Sequence, residues 1–231
     1  MLYSLLNTFK KGDRMDNGKS AQTKALVLDT ALGMFRSKGY AKTTMRAIAA
    51  EAGVSLGSAY YYFASKDELV LELYRESVAE QRANATAAMD GVSGLADRLK
   101  AALNAGVDAL TPYHHFGGAF IASALPPSSA VNPFGAASAQ AREDAVAIFA
   151  EAIEGTKVPS FLRGQLPELL WLGYMGVVLF WVYDRSADQR RTRALINGGA
   201  PLLGRLVALA GLPVVKPMIV EALALKDKVQ Q

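Results

Sequence analysis

The sequence predicts an all-α protein: a small N-terminal domain of three helices built around a helix-turn-helix, followed by a larger helical body. Three observations point there. Apolar residues recur every three or four positions over most of the chain, the spacing of amphipathic helices, and no convincing strand or internal repeat interrupts them. Residues 43–66, TTMRAIAAEAGVSLGSAYYYFASK, read as a helix, a tight glycine turn and a short second helix. Residues 169–183, LLWLGYMGVVLFWVY, are apolar on every side, as in a helix covered all round. The boundaries expected are a flexible basic arm over 1–21, a helix-turn-helix domain over 22–68 and a helical body over 69–231.

Taken in order, residues 1–9 are apolar but are followed, not preceded, by lysines, which is not a secretory pattern. Residues 10–22, KKGDRMDNGKSAQ, are polar and aperiodic, and read as a mobile arm able to touch phosphates. Translation could equally start at Met15, a choice the residues leave open. Leu26, Leu28, Ala31, Leu32 and Phe35 then form the apolar stripe of the first helix of the domain. The second helix is capped by Thr43 or Thr44 and carries Met45, Ile48, Ala49 and Ala52 on one face. Gly53 ends it, because glycine enters the left-handed region at little cost. Val54 plugs the turn, and Ser55 caps a third helix of about Leu56 to Tyr62. Ala59 and Phe63 face the core, leaving Gly57, Ser58, Tyr60 and Tyr61 outward.

That outward face has a chemistry. Glycine in an exposed helix interior costs roughly 1 kcal/mol against alanine, and its presence at Gly57 spares a docking surface from a bulky side chain. Serine and tyrosine hydroxyls donate to phosphates without carrying charge. Ser65 and Glu68 form a capping box that starts the next helix with Lys66 in its first turn, a seat for phosphate. A short helix presented this way fits a DNA major groove. Charge agrees: residues 1–66 carry a net +6 and the remainder −2, so the positive charge gathers on the segment that would meet a polyanion.

Lys24 to about Leu73 resembles the N-terminal domain of the TetR (tetracycline-repressor-like) family. The resemblance is carried by the Leu26-Leu28-Ala31-Leu32-Phe35 stripe, Lys38-Gly39-Tyr40, Thr43-Thr44, Arg46-x-Ile48-Ala49, Ala52-Gly53-Val54-Ser55, Gly57-Ser58-x-Tyr60-Tyr61-Tyr62-Phe63 and Ser65-Lys66-x-x-Leu69. It implies phosphate contacts from Thr44, Tyr60, Tyr61 and Lys66, with Thr43 and Gly57 in the same interface, and Arg46, Ser55, Leu56 and Ser58 near base edges. It also implies a homodimer on a palindromic operator in double-stranded DNA, and a cytoplasmic location. Two positions depart from the family pattern. Leu56 stands where many relatives carry lysine, arginine or another polar residue; it forgoes a hydrogen bond and could touch a thymine methyl. Ala59 stands where a larger aliphatic residue is common, which leaves the inner face less filled.

The body follows as a series of helices. Lys66 to about Met89 joins it to the head, with Leu69, Leu73 and Val78 as its apolar positions, and Gly91-Val92-Ser93-Gly94 breaks it. Leu95 to Leu110 is amphipathic, and Thr111-Pro112 ends it. Tyr113 to Leu125 is expected as a short buried helix, and a proline-rich loop leads to a helix from Phe134 to Glu154. Residues 169–183 and then Asp188 to Ala210 make two more helices, the second with a possible kink at Gly198-Gly199-Ala200-Pro201; a short amphipathic piece and a polar tail close the chain.

An all-round apolar helix in so small a domain is most easily covered by a second subunit, and the resemblance places a dimer bundle at about residues 165–210. A membrane span needs about 20 apolar residues and this run has fifteen, so the preferred reading involves no membrane; a membrane-associated sensor using residues 169–183 is the alternative. The resemblance further implies an effector pocket in the body. Phe116, Phe120, Trp171 and Tyr174 are its candidate lining, suited to a small apolar or aromatic effector; ordinary core packing of these rings, and a regulator with no effector, stay open beside it. Neighbouring His114 and His115 point about 100° apart on a helix and do not share a metal. With no cysteine, disulfides, thiol nucleophiles and thiolate metal sites are excluded. No nucleophile–base pairing, paired carboxylates or phosphate-cradling glycine loop suggests an enzyme, and no cofactor is expected.

Overall fold

The computed structural model describes the backbone of residues 2–229 and the side chains of residues 19–224 and 228. Its elements are helices: α1 Leu2–Lys38, α2 Met45–Glu51, α3 Leu56–Tyr62, α4 Lys66–Met89, α5 Leu95–Leu110, α6 His114–Ala124, α7 Ala139–Ile153, α8 Leu166–Tyr183, α9 Arg190–Leu209 and α10 Lys216–Val229. Short 3-10 turns precede α6, α7 and α9, and another lies between α7 and α8; no strand occurs among the described residues. The chain divides into two units: residues 1–74 with 115–137, and residues 75–114 with 138–231. The border falls inside α4, which belongs to both.

The first unit is built on the second half of α1. Val27, Leu28, Ala31, Leu32 and Phe35 are buried at helical spacing and receive Ile48 and Ala49 from α2, Ala59 and Phe63 from α3, and Leu69 and Val70 from α4. Each fully buried Leu, Ile or Phe contributes roughly 1.5–3 kcal/mol, so a few such side chains fix the short α2–α3 pair, which no helix of seven residues does alone. Phe35 also meets Tyr40 edge-on at 5.1 Å and Phe116 of α6 at 6.2 Å.

In the second unit α5 packs along α9 and α7, and α7 along α8. Val107, Trp181 and Ile196 form one buried cluster, flanked by Leu103, Leu110, Val177, Val178 and Val182. Three polar devices hold this unit. The Arg98 guanidinium, in the first turn of α5, donates to the carbonyls of Ala152 (3.0 Å), Glu151 (2.7 Å), Met89 (3.3 Å) and Val92 (3.0 Å). It thereby places a cation at the negative dipole ends of α4 and α7, where the Met89 and Glu151 carbonyls also accept the N–H groups of Val92 and Glu154. Gln81 is buried on α4 and donates its Nε2 to the Ala102 carbonyl at 3.1 Å; Gly106 lies beside it so closely that a Cβ there would meet the Tyr174 hydroxyl at 2.3 Å.

A third device is the corner between α8 and α9. Asp184 is buried, and its carboxylate accepts the Ser186 N–H (3.0 Å) and hydroxyl (2.6 Å) and the Thr192 N–H and hydroxyl (both 2.8 Å). Burial pushes the carboxyl up, but the four hydrogen bonds from Ser186 and Thr192 outweigh it and hold the group well below the usual carboxylate range. The corner is strained: Asp188 and Gln189 both sit in the left-handed region, at φ 52 and φ 50.

Several expected elements differ. The backbone is helical from Leu2 through the stretch read as an arm over 1–21, where no proline interrupts it; the side chains of residues 1–18, and any phosphate contact from them, lie outside the described residues. The helix expected from Phe134 begins at Ala139, because Asn132 holds the preceding turn, accepting the Phe134 N–H at its Oδ1 (2.8 Å) and the Gly135 N–H at its carbonyl (2.9 Å). The short helix over 113–125 spans His114–Ala124 and buries only Phe116, Gly117 and Ala124. The helix expected from Asp188 starts at Arg190, after the left-handed pair, and runs through Pro201.

The apolar run at 169–183 lies in an 18-residue helix, because Pro167 opens it at its first turn. That makes α8 long and apolar enough, by length and composition, to cross a membrane. It is not covered all round. Leu166, Leu170, Trp171, Tyr174 and Trp181 are buried, whereas Leu172, Leu179, Phe180 and Tyr183 are exposed. On α9, Ile196, Ala200 and Val207 are buried while Leu195, Leu202, Leu206 and Leu209 are exposed.

Candidate nucleic-acid interface

The first unit presents α2, a tight turn and α3 as one device. Thr44 caps α2, its hydroxyl accepting the Ala47 N–H at 3.2 Å. Gly53 takes φ +67, which lets the chain reverse while the Val54 N–H reaches the Ala49 carbonyl at 3.0 Å. Ser55 caps α3 by accepting the Ser58 N–H at 3.0 Å. Ala59 is completely enclosed, so a small side chain at that position does not leave the inner face open. Phe63 ends the helix and is buried.

The capping box at the start of α4 is displaced by one residue. Ser65 accepts the Glu68 N–H at 3.2 Å, but the Glu68 carboxylate reaches back to the N–H of Ala64. Lys66 is half-buried. Its ammonium donates to the Tyr40 carbonyl at 2.8 Å and lies 4.3 Å from the centre of the Tyr40 ring. The Tyr40 hydroxyl donates to the Asp67 carboxylate, and burial first, then that hydrogen bond and the Asp67 charge, push the phenol well above its ordinary value. Sequence reading assigned Tyr40 no role of its own. Its partners lie 26 and 27 residues ahead, a separation no local pattern reveals.

The sequence-selected residues distribute as follows. Thr44, Arg46, Ser55, Gly57, Tyr60 and Tyr61 are exposed, and Leu56, Ser58 and Lys66 are half-buried. Thr43 is fully buried, with its hydroxyl donating to the Gly39 carbonyl at 2.9 Å. It holds the loop before α2 and also lines the surface cleft there. A cleft of about 400 Å³ opens over it, walled by Thr44, Tyr60, Ser65, Lys66 and Asp67. One side of the α2–α3 pair is therefore apolar and packed, while Thr44 and Tyr60 wall the cleft with Ser65 and Lys66 of the following segment, and Arg46 stands exposed.

The four candidate effector-lining residues fall in different units. Phe116 and Phe120 lie in the first, with rings 6.2 Å apart and edge-on. Trp171 and Tyr174 lie buried in the second, where Tyr174 packs on Phe149 at 5.9 Å. His114 is engaged by Trp181: its Nε2 is 2.8 Å from the Trp181 carbonyl, and the two rings meet edge-on at 4.7 Å.

Two family models match the chain. Residues 27–73 match the family model described as bacterial regulatory proteins, tetR family. Residues 98–225, more than half of the chain, match the tetracyclin repressor-like C-terminal domain. Among curated proteins, the HTH-type transcriptional regulator BetI of Agrobacterium fabrum is 44% identical over 78 residues, covering 34% of this chain and 37% of that protein. The HTH-type transcriptional repressor KstR2 of Mycobacterium tuberculosis is 35% identical over 88 residues, covering 38% of this chain and 44% of that protein. The match thus spans less than half the length of either relative. A crystal structure of a TetR transcriptional regulator from Nitrosomonas europaea shares the fold, with a TM-score of 0.63 and 21% identity over 78% of this chain and 96% of that one. Both family models match in their usual order along one polypeptide, and the chain belongs to the TetR family of bacterial regulatory proteins.

Proposed function

We propose that this chain is a cytoplasmic, homodimeric DNA-binding transcription regulator that reads a palindromic operator and releases it in response to a small apolar or aromatic effector. The observation that carries the reading is the two-sided α2–α3 pair. Its inner face is buried by Ile48, Ala49, Ala59 and Phe63, while Arg46, Gly57, Tyr60 and Tyr61 stay exposed on the other side. Such a helix lays its first residues against base edges while hydroxyls and cations nearby take phosphates. Thr44, Tyr60, Tyr61 and Lys66 supply the phosphate contacts, and Arg46, Ser55, Leu56 and Ser58 stand near the bases.

The dimer is supported by the exposed leucines of α8 and α9, a surface that water disfavours and that a two-fold copy of itself would cover. Two-fold symmetry also suits a palindrome, whose half-sites repeat after a turn of DNA. Repression is the favoured sense, since KstR2 is a repressor by name. For the effector, Trp171 and Tyr174 supply aromatic surface with hydrogen-bonding tips, buried within the second unit. Ligand shifts DNA affinity only through different binding to the two states.

Titration of palindromic promoter duplexes against random duplex at several salt concentrations tests the reading. A specific complex shows a steep salt slope and a preference of at least about a thousandfold for its site. Equal affinity for all duplexes removes the operator.

A further inference from the structure

The composition of α3 is unusual for a helix that reads bases. None of its seven residues, Leu56 to Tyr62, is charged or carries a carboxamide. The paired hydrogen-bond readouts of the major groove use Arg or Lys on guanine, Asn or Gln on adenine, and Asp or Glu on cytosine; α3 has no side chain for any of them. The nearest such groups in sequence, Glu51 and Lys66, lie at the end of α2 and the start of α4, and Arg46 stands exposed on α2. The Ser55 hydroxyl accepts the Ser58 N–H as the cap of α3, which leaves it a single O–H to donate and no paired readout.

What α3 does offer at its leading end is Leu56, half-buried, followed by exposed Gly57. The space around Gly57 is open: a Cβ there would meet nothing nearer than the Ser55 Oγ at 3.9 Å. A groove floor can therefore approach this end without obstruction, and Leu56 is the aliphatic side chain it meets there. The major-groove floor has one apolar feature, the 5-methyl of thymine. We propose that Leu56 is the specificity-determining residue of α3 and that it reads a thymine in each half-site by packing on that methyl group. The inference rests on the DNA-binding reading above. Leucine also excludes other bases, because covering a cytosine N4 amine or a guanine O6 with a methyl strips water from a polar edge and returns no hydrogen bond.

The test begins with selection of duplexes from a random pool by the full chain. In the enriched duplex each thymine is then replaced singly by deoxyuridine, which removes the methyl and leaves every hydrogen-bonding group in place. One thymine per half-site should cost about three- to fivefold in affinity, the range expected for one buried methyl. Leu56→Ala should abolish that penalty while leaving other positions as they were. Deoxyuridine silent at every position of an enriched duplex overturns the proposal, and so does a penalty that survives in Leu56→Ala. The base substitution needs no altered protein, so the outcome does not depend on how the variant folds. A pool that enriches nothing removes the operator reading and this inference together, which separates that failure from a specific site blind to the methyl.

Discussion

On α3 the side chains left outside are Tyr60, 49% exposed, and Tyr61, 80% exposed, beside exposed Gly57; on α2 Arg46 is exposed, and Thr44 shares a cleft with Tyr60. On α8 and α9 they are Leu172, Leu179 and Phe180, then Leu195, Leu202, Leu206 and Leu209. Both regions are helices with a well-packed inner face, so packing alone does not distinguish them. The outer faces do. The hydroxyls and guanidinium of the head keep their hydration when nothing is bound, and exchange it for phosphate and base edges at little cost. The leucines of the body have no such alternative, and each forfeits roughly 1–2 kcal/mol by staying in water. On the proposed reading, the wet outer face takes a transient, salt-sensitive partner and the greasy one a standing partner.

The strongest way to break that comparison is to charge the greasy face. Leu206 is 62% exposed on α9, and in a two-fold interface each substitution enters twice. Leu206→Glu should leave the helical circular dichroism unchanged and convert the protein to monomers at micromolar concentration in sedimentation. Operator affinity should then fall by more than tenfold, since the two heads no longer bind as a pair. Tyr61→Ala should do the reverse, weakening DNA binding with pairing intact. A Leu206→Glu protein that still sediments as a dimer would show that α8 and α9 are not its pairing surface.

The two regions were not equally legible in the sequence. In the head, the signals are local: Thr44, Gly53 and Ser55 act within three or four residues of themselves, and the helices they bound appear as read. The surplus of positive charge before residue 67 needed only counting. What escaped there is tertiary. Thr43 turned inward to the Gly39 carbonyl, and Tyr40 became the bridge to Lys66 and Asp67. In the body, the apolar run of α8 located a helix, but uniform apolarity does not say which side has its partner inside the same chain, and Leu172, Leu179 and Phe180 are left exposed there. The Arg98 staple, which joins three carbonyls at two helix ends and that of Val92 in the loop after α4, and the Asp184 corner depend on residues brought together only by the fold.

The Asp184 corner sharpens the comparison from the other side, since it sets α9 against α8. Asp184→Asn leaves one acceptor oxygen facing donors that now number more than it can serve, and its amide N–H₂ confronts the Thr192 or Ser186 donors. A loss of about 2–3 kcal/mol is expected in denaturant unfolding, with the capacity of the head for DNA retained in the folded fraction. The pH dependence has a fixed sign. The folded-state carboxyl is depressed below its unfolded value, so its stabilisation is complete above about pH 4 and fades as pH falls further toward the folded-state value. Wild type should lose this part of its stability on acidification, and Asp184→Asn should lack that part of the acid slope. Parallel acid slopes in the two proteins would contradict the assignment.

The smallest effect is the most discriminating, because its two readouts have opposite signs. Gly57 lies inside α3 with a helical, not left-handed, backbone and open space where a Cβ would stand. Folding alone gives no reason for glycine there. Gly57→Ala should stabilise the chain by about 0.5–1 kcal/mol, through helix propensity and a less flexible unfolded state. If α3 enters a groove by this face, the same methyl holds it away, and operator affinity should fall severalfold while the thermal midpoint rises. A purely structural helical hairpin shows only the first change. Calorimetry beside a binding isotherm on one preparation therefore decides whether the empty place at Gly57 belongs to the protein or to its partner. A variant that gains stability and keeps full affinity would assign it to neither groove nor base.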